Sequence, residues 1–364
     1  MTWFGGKRRV AAEVWARFGD VPNYVEPFFG SGAVLLGRPN PPRIETVNDK
    51  DGFIVNFWRA LRADPDSVTE WADRPLYESD LHAIHAWLMQ NSDDLVPRLE
   101  GDPDYYDVKI AGWWVWGISS WIGAGFCSGK GPWRSVEDED GTKRLLKIGA
   151  DGLIKRPLPH VSDAGTGINR KLLHGSDAGT GVHRKLISFG RRRVGYHADS
   201  RHETLLEYMR DLSDRLRLVR VCCGDWTRVL TNGPTTRIGT TAVFLDPPYS
   251  DKAARSGKLY SVDSLDVAHD VREWCEKNGG DHRLRIALCG YEGEHENLAD
   301  AGWACYRWSA DGGYSKGEKG KIKNENRHRE VIWFSPYCLN PPVLELHDDE
   351  MGHGLHWTVQ TTSS

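Results

Sequence analysis

The chain has 364 residues, 39% of them hydrophobic and 27% charged, a globular composition long enough for about two domains. Its 47 Lys and Arg against 51 Asp and Glu leave a formal charge of −4, so a nucleic-acid partner requires a local basic patch. Seven cysteines without a C-x-x-C pair indicate reduced thiols and a cytoplasmic setting, while the lack of a leader-like apolar run argues against secretion and membrane insertion.

The first elements form a strand at Tyr24-Val25-Glu26, a glycine-rich turn through Gly30 and Gly32, and an apolar helix start at Ala33-Val34. Pro39 to Pro42 make a turn before a short strand, Ile44 to Val47. A helix from Asp51 to Arg62 follows, with Phe53, Ile54, Phe57 and Leu61 on one face behind an Asn48-Asp49 cap. A second helix covers Lys109 to Ile122, where Trp114, Ile118 and Trp121 recur at helical spacing. Its tryptophans (Trp113, Trp114, Trp116, Trp121) invite a base-stacking reading, but the spacing favours packing in a core. A third helix runs from about His202 to Arg217 through Leu205, Met209, Leu212 and Leu216.

Continuous apolar runs at Val219 to Cys223, Thr241 to Leu245 and Arg285 to Cys289 suit buried parallel strands. Ala304 to Trp308 and Glu330 to Phe334 read as a hairpin with a long loop. The last stretch, Asn340 to Ser364, reads as a polar tail whose dispersed His347, His353 and His356 are solvated, and no metal site is expected.

Residues 64–217 differ in character from both flanks and read as an insert between 1–63 and 218–338, with 339–364 as the tail. Between Lys143 and Arg220 there are 17 Lys or Arg against 8 Asp or Glu, which supplies the local basic patch. Within it, Ser162 to Leu173 recurs as Ser176 to Ile187 with nine of twelve positions identical. Two copies are too few for a solenoid. Either the basic residues Arg170, Lys171, Arg184, Lys185 and Arg191, Arg192 and Arg193 meet phosphates, or the segment is a solvated insertion.

The chemistry concentrates at Asp246-Pro247-Pro248-Tyr249, directly after an apolar strand, because open α/β sheets bind ligands at the strands' C-terminal edge. Prolines without N–H groups leave fixed carbonyl acceptors, and Asp246 adds a carboxylate. Such a set suits an amino group with two hydrogens, and Tyr249 offers a face for a planar base. Glu26-Pro27-Phe28-Phe29-Gly30-Ser31-Gly32 lets a ligand approach the backbone. It lacks the third glycine of a dinucleotide loop, which disfavours NAD. Asp49 lies about twenty residues beyond the first glycines, where an acid meets a ribose diol; the same side chain also suits a helix cap.

These motifs together resemble the D12 class of adenine-specific DNA methyltransferases, the DNA adenine methylase family. Trp3-Phe4-Gly5-Gly6-Lys7 is similar to the family's N-terminal aromatic-x-Gly-Gly-Lys element, Glu26 to Gly32 to its AdoMet loop, Asn48-Asp49 to its second-strand acid, and Asp246 to Tyr249 to its catalytic motif. The resemblance spans Met1 to Arg62 and Val219 to Phe334. It implies a Rossmann-like α/β sheet, mostly parallel with a terminal antiparallel hairpin, and an inserted helical and basic target-recognition domain.

It further implies methyl transfer from S-adenosyl-L-methionine (AdoMet) to N6 of adenine in DNA, with Asp246, Pro247, Pro248 and Tyr249 catalytic. Trp3, Gly6, Lys7, Glu26, Pro27, Phe28, Gly30, Gly32, Asp49, Asp225 and Asp246 are then the cofactor-binding set. Cys223-Gly224-Asp225-Trp226 resembles the element beside the cofactor adenine, with an ordinary strand-ending turn as the lesser alternative, and Asn324, Asn326 and Arg327 fall near DNA by the same resemblance. Other acceptors remain open, including cytosine N4, an RNA base or a protein amide, as does a non-catalytic DNA-binding module. A monomer is the default.

Overall fold

A computed structural model describes residues 6–121, 126–127, 133–137, 143–148, 154–155, 198–231, 233, 238–248, 267–308, 330–340, 344–348 and 355–359; for 133–155, 198–201 and 344–359 only backbone is described. The central sheet has seven strands: β1 (Asn23–Glu26), β2 (Ile44–Asp49), β6 (Arg220–Cys223), β7 (Thr241–Leu245), β8 (Leu284–Tyr291), β9 (Ala304–Arg307) and β10 (Glu330–Phe334). They lie in the order β6-β2-β1-β7-β8-β10-β9. The pairs from β6 to β8 are parallel, and β10 is antiparallel to both β8 and β9.

The expected mostly parallel sheet with its terminal antiparallel hairpin is therefore present, and the continuous apolar runs have a physical cause. Along each strand, successive residues alternate between two cores. Tyr24, Ala242, Phe244, Ala287 and Cys289 face one. Val25, Val243, Leu245, Ile286 and Leu288 face the other. Both faces of the sheet's centre are covered, so every position of β1 and β7 is buried.

The first core is roofed by helices α1 (Ala11–Phe18), α2 (Ala33–Leu36), α3 (Gly52–Ala63), α4 (Pro65–Ala72), α5 (Glu78–Gln90), α6 (Leu95–Gly101), α7 (Val108–Ser120) and α8 (Ala198–Leu216); α9 (Val267–Asn278) covers the second. Helix α1 buries Ala11, Val14, Trp15 and Phe18 at i, i+3, i+4, i+7. Helix α3 buries every residue from Gly52 to Leu61 because the sheet lies on one side and other helices on the other. Its cap corrects the expectation from Asn48-Asp49: Asp51 caps it, accepting from Phe53 N at 2.9 Å. Asp49 belongs to the end of β2 and is turned toward the glycine loop. Asp64 and Asp107 cap α4 and α7 in the same way.

The tryptophans of α7 are packing residues. Trp114 and Trp116 are buried, and Trp114 stacks on Phe53 at 6.4 Å. Trp113 meets Trp71 and Trp87 edge-on, and Lys109 Nζ lies 4.2 Å from the Trp87 ring centre and 4.4 Å from that of Trp113.

Two features differ from the sequence reading. The region read as helical and basic also contains an antiparallel sheet of β3 (Trp133–Glu137), β4 (Lys143–Ile148) and β5 (Ile154–Lys155). The polar tail contains a hairpin, β11 (Leu344–Asp348) with β12 (Leu355–Val359), in which His347 pairs with His356; the alternation of Leu344, Leu346, Leu355 and Trp357 with polar residues is the strand signal overlooked there. The tandem repeat and its basic residues lie outside the described residues, as do Asn324, Asn326, Arg327 and His353. No helix among the described residues is long and apolar enough to cross a membrane.

Candidate active site

From β1 the chain proceeds to β2 and β6 on one side and, through β7, to β8 on the other, so the strand order reverses between β1 and β7. Ligands of open α/β sheets bind in the crevice at such a switch point, beyond the strands' C-terminal ends. A cleft open to solvent lies there. It is lined by Gly6, Lys7, Glu26, Pro27, Phe28, Gly30, Asp49, Asp225, Asp246 and Pro248 among the residues expected from sequence. Gly32 and Pro247 stand beside it without lining it. Trp3, Tyr249, Arg170, Lys171, Arg184, Lys185, Arg191, Arg192 and Arg193 fall outside the described residues.

One wall is the turn after β1. Gly30 and Gly32 have φ of 47° and 65°, in the left-handed region that side chains other than glycine rarely adopt. A Cβ on Gly32 would stand 2.8 Å from the Phe29 ring. The turn is pinned from three sides: Gly30 N donates to Asp49 Oδ2 at 2.9 Å, Trp58 Nε1 donates to Gly30 O at 2.9 Å, and Phe29 N donates to Asn48 O. Asn48 Nδ2 donates to both Pro27 O and Gly224 O, joining this turn to the one after β6. Its Oδ1 is buried with no hydrogen-bond partner among the described residues.

The floor of the cleft carries Asp49 at the end of β2, and burial, reinforced by the nearby Asp51 carboxylate, pushes its pKa up to about 7 against the bonds from Asp51, Gly30 and Lys50 N–H. The opposite rim is aromatic. Phe28 and Trp226 stack with ring centres 6.1 Å apart. Asp225 caps the short turn Trp226–Val229; burial opposes its ionisation, but the Thr227 hydroxyl and N–H, with Lys50, hold it below the ordinary carboxylate value.

The third wall gathers charge. Lys7, buried in the turn Lys7–Arg9, places Nζ 3.0 Å from Asp246 Oδ2 and 3.7 Å from Glu330 Oε2. Glu26, at the end of β1, is pushed well above the carboxylate range by burial, an effect that the hydrogen bond from Tyr24 opposes and the charge of Asp246 reinforces. Tyr24 Oη donates to Glu26 Oε2 at 2.8 Å. The N-terminal Lys and the acid after β7, 239 positions apart in sequence, are thus a direct ion pair.

A family model now adds to this geometry. Residues 3–86 match the D12 class N6 adenine-specific DNA methyltransferases. The match gives the chain the reaction of that class, AdoMet-dependent methylation of adenine N6 in DNA. No curated protein matches it. The D12 match takes in the Trp3–Lys7 element, the glycine turn and Asn48-Asp49, and it ends within α5. The seven-stranded, mostly parallel sheet accords with a methyltransferase fold. Sequence reasoning passed over Lys50, Asp51, Ile54, Phe244 and Val267 as site residues, although they also line the cleft, and it treated Glu330 only as part of a strand. The signal for Glu330 was the reversed last strand, whose first residue returns to the edge where the parallel strands end.

Proposed function

We propose that AdoMet binds in the cleft between the ends of β1 and β7 and that the target adenine, turned out of the duplex, meets Asp246, Pro247, Pro248 and Tyr249. The observation that carries this reading is the ion pair of Lys7 with Asp246 in a cleft whose other walls are the glycine turn, Asp49 and the Phe28–Trp226 stack. The residues present fit a nucleoside sulfonium. Asp49 offers a carboxylate for the ribose diol, the aromatic rim offers a face for a purine, and the orphaned Asn48 Oδ1 awaits a donor.

When bound, AdoMet supplies an electrophilic methyl group. The protein's share is placement and electrostatics. Asp246 and the Pro247 carbonyl accept hydrogen bonds from the exocyclic amine, which directs its lone pair toward the donor. The region 64–217 carries target recognition in this reading, with phosphates met by Arg170, Lys171, Arg184, Lys185 and Arg191 to Arg193. The test is incubation with methyl-labelled AdoMet and unmethylated DNA, followed by nucleoside mass spectrometry. Label in N6-methyladenine is the expected product; label confined to N4-methylcytosine or to RNA would replace the acceptor.

Asp49 gives a pH signature. In the free protein its pKa is raised to about 7, and diol hydroxyls donate to the ionised form, so cofactor affinity rises as pH increases through 7 and levels above it. Calorimetry between pH 5.5 and 7.5 is expected to show up to about tenfold tightening per pH unit on the acid side. Asp49→Asn, which removes this titrating group, is expected to bind weakly and with a flat pH profile. Equal slopes for the two proteins would remove Asp49 from the diol site.

A further inference from the structure

In the sheet β2 lies between β1 and β6, so the turn leaving β1 and the turn leaving β6 rise on either side of its last residues. Asn48 stands at that point and bonds to both. Its Nδ2 gives one hydrogen to Pro27 O at 3.1 Å and the other to Gly224 O at 2.9 Å, while its main-chain carbonyl accepts from Phe29 N. Both amide donors are thus engaged, and Oδ1 is buried without a hydrogen-bond partner among the described residues. Turned the other way, the amide would set Oδ1 against two carbonyl oxygens, so the hydrogen bonds decide its orientation.

Each of the two carbonyls lies just before an aromatic residue of the cleft. Phe28 follows Pro27 directly, and Trp226 comes two positions after Gly224. Both rings line the cleft and pack at the edge of the second core, with centres 6.1 Å apart and planes inclined by 28°. They belong to turns that are far apart in sequence, and the Asn48 side chain bridges those turns directly. Asp49 is held separately, by the N–H groups of Gly30 and Asp51, so its carboxylate does not depend on the Asn48 amide.

We infer that Asn48 is a positioning residue for the purine of the cofactor: by tying the two turns together it keeps Phe28 and Trp226 at the spacing that receives a planar base. The inference rests on the placement of AdoMet given above. A rim that is set before the ligand arrives loses little freedom on binding. Without the bridge, that ordering falls to the base itself, and the ribose and amino-acid end of the cofactor are unaffected.

The test titrates two ligands into wild type and Asn48→Ala, followed by ligand-observed NMR: S-adenosylhomocysteine, which carries the purine, and S-ribosylhomocysteine, which lacks it. Expected are binding of the first weakened about tenfold, as the loss of two hydrogen bonds allows, and binding of the second within about twofold of wild type. Equal weakening of both ligands would mean a merely structural role, and unchanged affinity for S-adenosylhomocysteine would likewise overturn the inference. If Asn48→Ala fails to fold, Asn48→Ser, which keeps one donor, is read by the same criteria: a loss of about threefold confined to the purine-bearing ligand supports the role, and a loss shared by both ligands, or none, overturns it. A wild-type protein that binds the two ligands equally, or binds neither, would instead sink the cofactor placement, and the inference with it.

Discussion

Asp246→Ala is expected to lower methyl transfer by at least about a hundredfold while the protein still folds and still binds AdoMet within about tenfold of wild type. The asymmetry follows from the geometry. Asp246 is 21% exposed at the mouth of the cleft, so its removal opens no core cavity. The cofactor keeps the glycine turn, Asp49 and the aromatic rim. What is lost, on the proposed reading, is the carboxylate that orients the target amine. Lys7, nearly buried, then retains Glu330 at 3.7 Å as its described acidic neighbour, which limits the stability cost to about 1–3 kcal/mol. Single-turnover kinetics and a melting curve on the same preparation separate the two effects. Transfer reduced only a few-fold in a stably folded variant would take Asp246 out of the chemistry.

The parallel strands and the cleft were legible in the sequence for one reason: they join motifs whose chemistry is local. Thr241–Leu245 is a fully buried, mostly apolar run followed by Asp-Pro-Pro, and both its boundaries are as expected. The Glu26 to Gly32 turn is equally self-contained, since its glycines report the backbone directly. The cap of α3 was misplaced because three candidate residues, Asn48, Asp49 and Asp51, fall within four positions, and only the tertiary pull of Gly30 N on Asp49 decides among them. Helix α1 has the full spacing of Ala11, Val14, Trp15 and Phe18, but its signal lies between two motifs that drew attention to turns. Neither the Lys7–Asp246 pair nor the third member Glu330 was legible at all. Their contact depends on the turn Lys7–Arg9 meeting the end of β7 and the start of β10 at one edge, which is a property of topology and not of any window of sequence.

The largest stability effect is expected at the opposite end of β2, from Glu45→Leu. Glu45 is 1% exposed and binds two arginines. Arg38 Nη1 stands at 3.1 Å from Oε1, and Arg215 on α8 makes a fork to both oxygens at 2.7 and 2.9 Å. Arg38 also donates to Val21 O at 2.7 Å and lies over Trp15 with its guanidinium carbon 5.0 Å from the ring centre. Losing Glu45 leaves the buried Arg38 without its nearest counter-charge and releases α8 from β2. Breaking one member of a buried ion network costs about 3–5 kcal/mol, because the surviving charge stays desolvated.

For a domain of this size that corresponds to a fall in melting temperature of roughly 10 °C. AdoMet affinity at low temperature is expected to be unchanged, because Glu45 lies near the start of β2 and the cleft lies beyond its end. The triple variant Arg38→Met, Glu45→Leu, Arg215→Met removes all three charges, and it is expected to recover part of the loss. If the triple variant melts below the single one, the network contributes net attraction beyond its own desolvation, and packing alone does not hold α8 to the sheet.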